Sequence, residues 1–328
     1  MQKVLVVGSN SFSGATFVDY ALKTGAHVLG MSRSEEPVDP LLPYKWGNHS
    51  NFEFNKLDLN KDLPKIMQVI ESEKPTFIVN FAAQGMVAQS WLAPEDWFMT
   101  NAVSTIKFHD KLRKCKFLER YVHVSTPEVY GSCSGFVKEN FPFKPSTPYA
   151  VSRAAADMSL RTFNTAYEFP VVSTRAANVY GPGQQLYRII PRTILFILLG
   201  RKMQLHGGGT STRSFIHMQD VSDATWKIME NGKNGDTYHI STDNVISIHD
   251  LVMNICNKLN VSFNEYVEVV GERLGKDTAY HLDSTKLKTE LGWQDSISLD
   301  KGIEECIDWI SNNLSVLKEQ PYDYIHRP

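Results

Sequence analysis

The chain has 328 residues, enough for one large domain or two lobes around a cleft, and its 42% hydrophobic content supports a real core. Its 34 Lys and Arg stand against 36 Asp and Glu, a net charge of -2, which excludes a broad basic field for nucleic acid or an anionic membrane. Any anion site must be local. The longest apolar stretch, Ile194 to Leu199, falls far short of the roughly 20 residues of a membrane span. Residues 1–8 read directly as a buried strand with no leader before it. Cys115, Cys133, Cys256 and Cys306 show neither close pairing nor metal-ligand spacing. The expectation is a cytoplasmic protein with reduced structural thiols, no metal, and no nucleic-acid or membrane partner.

In chain order, short apolar strands at 3–7, 27–31, 52–55 and 77–80 alternate with helical stretches at 14–23 and 63–72. A long helix over 93–115, a strand at 121–125, a helix over 149–166 and a strand at 171–175 follow. This alternation predicts an α/β fold, a doubly wound Rossmann sheet of six or seven parallel strands. After Arg175 come loops rich in Gly, Pro and Arg, and amphipathic helices near 190–199, 248–259 and 299–313. They predict a smaller mixed α/β substrate lobe. Residues 1–178 form the dinucleotide-binding part, with segments near 215–245 returning to it, and 179–328 supply mainly the substrate lobe.

Gly8-Ser9-Asn10-Ser11-Phe12-Ser13-Gly14 lies between the first strand and first helix, where backbone amides and the helix dipole meet a pyrophosphate. Gly8, Ser11, Phe12 and Gly14 are the candidate contacts, with Ser11 where the usual pattern has a middle glycine. Such a turn by itself is as often a plain strand-to-helix connection. The second strand ends in Ser32-Arg33 with no Asp or Glu for a ribose 2'-hydroxyl, which suits a 2'-phosphate and favours NADP, NAD being the alternative. Arg33 as a solvated loop charge is the plain alternative. Asp58 and Leu59 follow the third strand, where a carboxylate meets an adenine amino group; Ala82 and Ala83 end the fourth, where small residues admit the nicotinamide ribose.

The fifth strand ends in Ser125-Thr126-Pro127-Glu128-Val129-Tyr130-Gly131, and Tyr149-Ala150-Val151-Ser152-Arg153 opens the next helix. A Tyr and an Arg four apart are, on an arbitrary helix, a packed aromatic and its surface charge. Here the pair resembles the Tyr-x-x-x-Lys of short-chain dehydrogenases. The Thr-x-Glu-x-Tyr-Gly stretch resembles the sugar-nucleotide 4,6-dehydratases, extended members of that family, and their decarboxylase relatives. The likeness runs through Asn80-Phe81-Ala82-Ala83-Gln84, Asn178-Val179-Tyr180-Gly181-Pro182, Arg213-Ser214-Phe215-Ile216-His217 and Glu290-Leu291-Gly292-Trp293, nearly the whole chain.

The resemblance implies a catalytic set of Thr126, Glu128, Tyr149 and Arg153. Tyr149, its pKa lowered from near ~10 by a neighbouring cation, takes the proton of a sugar 4-hydroxyl. Glu128 removes the carbon-5 proton made acidic by the 4-ketone, and Thr126 holds the 4-oxygen. Two departures stand out. Pro127 occupies the place of an Asp that protonates the leaving hydroxyl in many dTDP-glucose enzymes, and Arg153 replaces Lys. The resemblance also implies a nucleotide-diphosphate sugar held by Asn178, Arg213 and Arg273, with Gln84 and Arg192 as further contacts, and a homodimer packed through the helices over 93–115 and 149–166. Ser32, Arg33 and Gln84 lean towards GDP-sugars. A UDP-glucuronate decarboxylase, a 4-epimerase or 4-ketoreductase that leaves Glu128 idle, and a non-catalytic NADP-binding regulator are the rival readings.

Overall fold

A computed structural model describes residues 2–271 and 281–327. Seven strands form one parallel sheet: β1 (Lys3–Val7), β2 (His27–Ser32), β3 (Phe52–Lys56), β4 (Phe77–Asn80), β5 (Arg120–Val124), β6 (Val171–Ala176) and β7 (Thr237–Ile240). Their order in space is β7-β6-β5-β4-β1-β2-β3, so the winding reverses beside β1, where Val4 lies opposite both Val28 and Phe77. At that reversal the connections leave in opposite directions and open a crevice above the strand ends. The seventh strand comes from the second half of the chain.

Alternation along the strands explains why both faces are covered. Val4, Val6, Val28 and Val79 point to one side and pack with Phe17 and Val18 of α1 (Phe12–Lys23); Leu5, Val7, Leu29 and Ile78 point to the other and pack with Ile66 and Ile70 of α2 (Leu63–Glu73). Further along the chain come α3 (Pro94–Phe98), α4 (Thr105–Leu112), α5 (Pro148–Tyr167), α6 (Ile189–Leu198), α7 (Met218–Asn231), α8 (Ile248–Lys258) and α9 (Leu299–Asn312). α7 lies beside α1, with Tyr20 donating to Asp223 at 2.7 Å. A second core joins Ile190 and Ile194 of α6, Leu251 and Ile255 of α8, and Ile303 and Ile310 of α9. Among the described residues no helix is long and apolar enough to cross a membrane.

The single helix expected over 93–115 is a different object. It is three pieces: α3, a π-helical turn (Met99–Ser104) and α4, which ends at Leu112. The wider turn has an identifiable cause. Within that turn the Asn101 side chain clamps the loop after β4, accepting from the Gln84 amide at 2.8 Å and donating to the Gln84 carbonyl and the Ser152 hydroxyl, each at 3.0 Å. Thr105 Oγ1 closes the bulge by donating to the Thr100 carbonyl at 2.8 Å. A helical periodicity in the sequence does not register such a side-chain detour.

Candidate active site

A cleft of about 700 Å³ opens over the sheet reversal, walled by the turn after β1, the ends of β4, β5 and β6, the start of α5, and the approach to α6. Its floor begins at the glycine turn. Gly8 has φ +82°, and a Cβ there would lie 2.7 Å from the Ala82 amide; a Cβ on Gly14 would lie 2.1 Å from the Gly8 carbonyl. Both positions therefore exclude a side chain. Ser11 caps α1: its hydroxyl donates to the Gly8 carbonyl at 2.7 Å and accepts from the Gly14 amide at 3.1 Å. That closed loop explains why a serine serves where a glycine was expected, and it leaves Ser11, Phe12 and Ser13 facing the cleft.

Opposite the turn, Thr126 and Glu128 share a strand end. Pro127 begins a single 3-10 turn (Pro127–Tyr130), for which its fixed φ is suited, and Thr126 caps it. The Thr126 hydroxyl donates to Glu128 Oε2 at 2.7 Å. Tyr149 enters from the first turn of α5, which Thr147 caps by accepting from the Ala150 amide at 3.2 Å. Burial and the Glu128 carboxylate push the Tyr149 phenol above its ordinary value, outweighing the opposing pull of Arg153 and Thr126. Arg153 lowers Tyr149 as expected, but desolvation is the larger effect, so the net direction is upwards rather than the expected downwards. Arg153 is buried, donates through Nη2 to the Val124 carbonyl, and keeps its Nε without a partner among the described residues. A donor orphaned in that way inside the cleft, and glycines that admit only backbone, fit the ribose and pyrophosphate of a dinucleotide.

The remaining expected residues divide. Ala83, Gln84, Asn178 and Arg192 line the cleft, as does Arg33 at its rim. Ser32 is buried and accepts from the Asn10 amide at 3.1 Å, so it serves the glycine turn. Ala82 abuts Gly8 and is fixed there by the Asn80 side chain, which accepts its amide at 2.9 Å. Asp58 accepts from the Asn60 amide at 2.8 Å in a turn of its own, and Leu59 packs in the core under α2; neither lines the cleft. Arg213 donates to the Thr212 carbonyl on a two-residue strand paired with Ile246–Ser247, also outside the lining. Arg273 lies outside the described residues.

Three features escaped the sequence. Arg188 lines the cleft and its charge reaches Tyr149. Residues 322–327 cross the cleft mouth. Beneath Thr126 lies a buried polar network. Asp157 accepts from Ser125 and Arg175, each at 2.7 Å, with His123 Nε2 at 3.3 Å; Arg175 also donates to the Tyr130 hydroxyl at 2.5 Å, and that hydroxyl meets His239 Nε2 at 2.7 Å. Burial alone would raise Asp157, but Arg175 and His123 hold it well below the usual carboxylate range, while burial pushes His239 down to about 3. The network thus ties α5, β5, β6 and β7 to the residue just before Thr126. The only trace in sequence was polar residues at strand positions where apolar ones were due.

The sequence matches the family profile described as GDP-mannose 4,6 dehydratase over residues 5–306. The chain belongs to this family, among the sugar-nucleotide dehydratases of the extended short-chain dehydrogenase/reductase kind. It is 30% identical to a probable dTDP-glucose 4,6-dehydratase of Sinorhizobium fredii, over 95% of this chain and 93% of that protein. It is 32% identical to the dTDP-D-glucose 4,6-dehydratase of Homo sapiens, over 81% of this chain and 77% of that one. A crystal structure of the dTDP-glucose 4,6-dehydratase from Streptomyces venezuelae with NAD bound superposes with a TM-score of 0.88 at 28% identity, covering 96% and 98% of the two chains. The NAD complex of the Bacillus anthracis dTDP-glucose 4,6-dehydratase gives the same score and identity, covering 97% and 99%.

Proposed function

We propose that this family member removes water from a nucleotide-diphosphate hexose to give the 4-keto-6-deoxy sugar, with a nicotinamide dinucleotide held over the glycine turn. The dinucleotide, when bound, supplies the reversible two-electron exchange at the sugar and returns to its starting state, so no net reductant is consumed. The residues do the rest. Tyr149 accepts the proton of the 4-hydroxyl while Thr126 orients the oxygen. Glu128 takes the carbon-5 proton, and the carbon-6 hydroxyl departs with a proton as water. Since Pro127 has no proton to give, the protonated Glu128 is the source of that second proton; carbon 5 then regains a proton while Tyr149 releases to solvent the one it accepted, and the balance is one water lost per turnover.

The observation that carries this reading is the 2.7 Å bond between Thr126 and Glu128 in the same cleft as Tyr149. An epimerase or ketoreductase needs no carboxylate there. Asn178, Arg188 and Arg192 line the wall available to the diphosphate. Of the three residues that leaned towards guanosine, Ser32 is buried against the turn, and Arg33 Nη2 and Gln84 Nε2 donate to the Arg327 carbonyl at 3.0 and 2.6 Å. The relatives described above act on dTDP-glucose, so thymidine belongs in the test beside guanosine, uridine and cytidine. Incubation with the four nucleotide-sugar classes without reductant, read by mass spectrometry, tests dehydration and names the nucleoside.

NADP is our proposed form, on the exposed Arg33 and the absence of a carboxylate at the end of β2; the solved relatives hold NAD. Parallel titrations decide it, and tighter NAD binding would contradict it. A homodimer is proposed on adjacent apolar exposure: Leu92 is 84% exposed and Met158 59%, with Phe98, Met99, Val103 and Val151 also at the surface of the α3 and α5 region.

A further inference from the structure

The segment that follows α9 and its short successor (Leu314–Leu317) returns across the cleft from one lobe to the other. On the substrate side, Arg192 Nη1 donates to the Tyr322 carbonyl at 3.0 Å and to Asp323 at 2.9 Å, and Tyr324 meets the Tyr187 ring edge-on with centroids 5.5 Å apart. On the sheet side, His326 stacks on Trp97 at 4.8 Å and 14°, with Nε2 2.6 Å from Asp96 Oδ2. The segment ends its crossing at Arg327, whose carbonyl accepts from Arg33 Nη2 at 3.0 Å and Gln84 Nε2 at 2.6 Å. Tyr324, Ile325 and Arg327 are themselves part of the cleft lining.

We propose that residues 322–327 are an intrinsic strap, an internal occupant of Arg33, read as a dinucleotide contact, and of Gln84 and Arg192, read as substrate contacts, that must swing away before the dinucleotide enters. This rests on the dinucleotide-binding reading above. One carbonyl oxygen bridges two side-chain donors between the end of β2 and the loop after β4, donors of a kind that a ribose or phosphate oxygen also takes. Space argues the same way. Pockets for one small ligand run to about 300–1,000 Å³, so a cleft of about 700 Å³ with the strap in place suits one nucleotide-sized molecule. The proposed reaction needs two at once. Tyr322 packs against the second core, edge-on to Phe196, and Asp323 pairs with Arg192, so these two residues are the fixed end; residues 324–327 are held by a stacked ring, a few hydrogen bonds and one pair of tyrosines, fastenings of a kind that release.

The test compares the full chain, a chain ending at Asp323, and His326→Ala, which unstacks Trp97 without shortening the strap. Each is titrated with NAD and with NADP by calorimetry, and thermal melts confirm that all three fold. If the open state is a minor population of roughly 10%, freeing the cleft tightens the apparent Kd roughly tenfold. Hydrogen exchange over residues 320–327 of the full chain should also quicken when dinucleotide is added. Equal or weaker binding in both variants, or slower exchange with dinucleotide present, overturns the strap. Absence of binding by all three chains overturns the dinucleotide reading itself, and the strap with it.

Discussion

The Thr126 hydroxyl donates to Glu128 Oε2 at 2.7 Å across Pro127, so one short turn holds both the oxygen-orienting group and the carboxylate of the cleft. Everything proposed for the elimination depends on that carboxylate accepting a carbon-bound proton and passing it on.

Glu128→Gln keeps the shape of the site and removes its base. Turnover to the 4-keto-6-deoxy product should fall by roughly 10²- to 10⁴-fold, the usual worth of a general acid-base group. Dinucleotide affinity, measured by calorimetry, should stay within experimental scatter. Retained turnover would return the site to an epimerase or ketoreductase, for which Glu128 is idle.

Tyr149 starts with its phenol above the ordinary value, raised by burial and by Glu128. Phenolate absorbance of the protein without dinucleotide, taken as the difference from Tyr149→Phe, should therefore appear only above pH ~10. Positive charge brought by an oxidised dinucleotide should move that titration downwards. Glu128→Gln should do so as well, because it removes the second-largest cause of the rise. A Tyr149 titration already below the ordinary value in the free protein would contradict the geometry.

Asp157 is a stability site. Its folded-state pKa is depressed, so its contribution is present above the unfolded value of ~3.9 and is lost as pH falls below that value towards the folded one. Asp157→Asn leaves Arg175 buried beside a neutral amide, and breaking such a pair costs about 3–5 kcal/mol. Denaturant unfolding at neutral pH should show a loss of this size, shrinking as the pH approaches the acid range where the wild type has already lost the pair.

Met158→Glu places a charge on the most exposed apolar residue of α5 without touching the cleft. Light scattering should find the wild type as a dimer and the variant as a monomer, with little change in the melting of the monomer fold. A monomeric wild type removes the interface proposal.

Much of the architecture was legible because it rests on local rules. β1, α1, β2, β3, α2, β4, β5, β6 and α6 fall where the alternation of strand and helix periods placed them. Gly8 and Gly14 were legible because a tight turn beside a close backbone admits no Cβ there. What escaped was decided by particular hydrogen-bond partners, some of them distant in sequence. Asn101 broke an expected helix in order to grip Gln84; Asp58 turned to its own local amides; Ser32 was taken by Asn10. Arg33, Gln84 and Arg192 line the cleft, yet each is bound to residues 322–327, an association across 130 positions or more that no local pattern carries.

The most direct measurement is the product mass after incubation with guanosine, thymidine, uridine and cytidine diphosphosugars without reductant. One substrate should lose a single water, and the loss should vanish in Glu128→Gln. Loss of carbon dioxide, an isomer of unchanged mass, or turnover that requires added reduced dinucleotide would contradict the assignment of Glu128 as the base of an elimination.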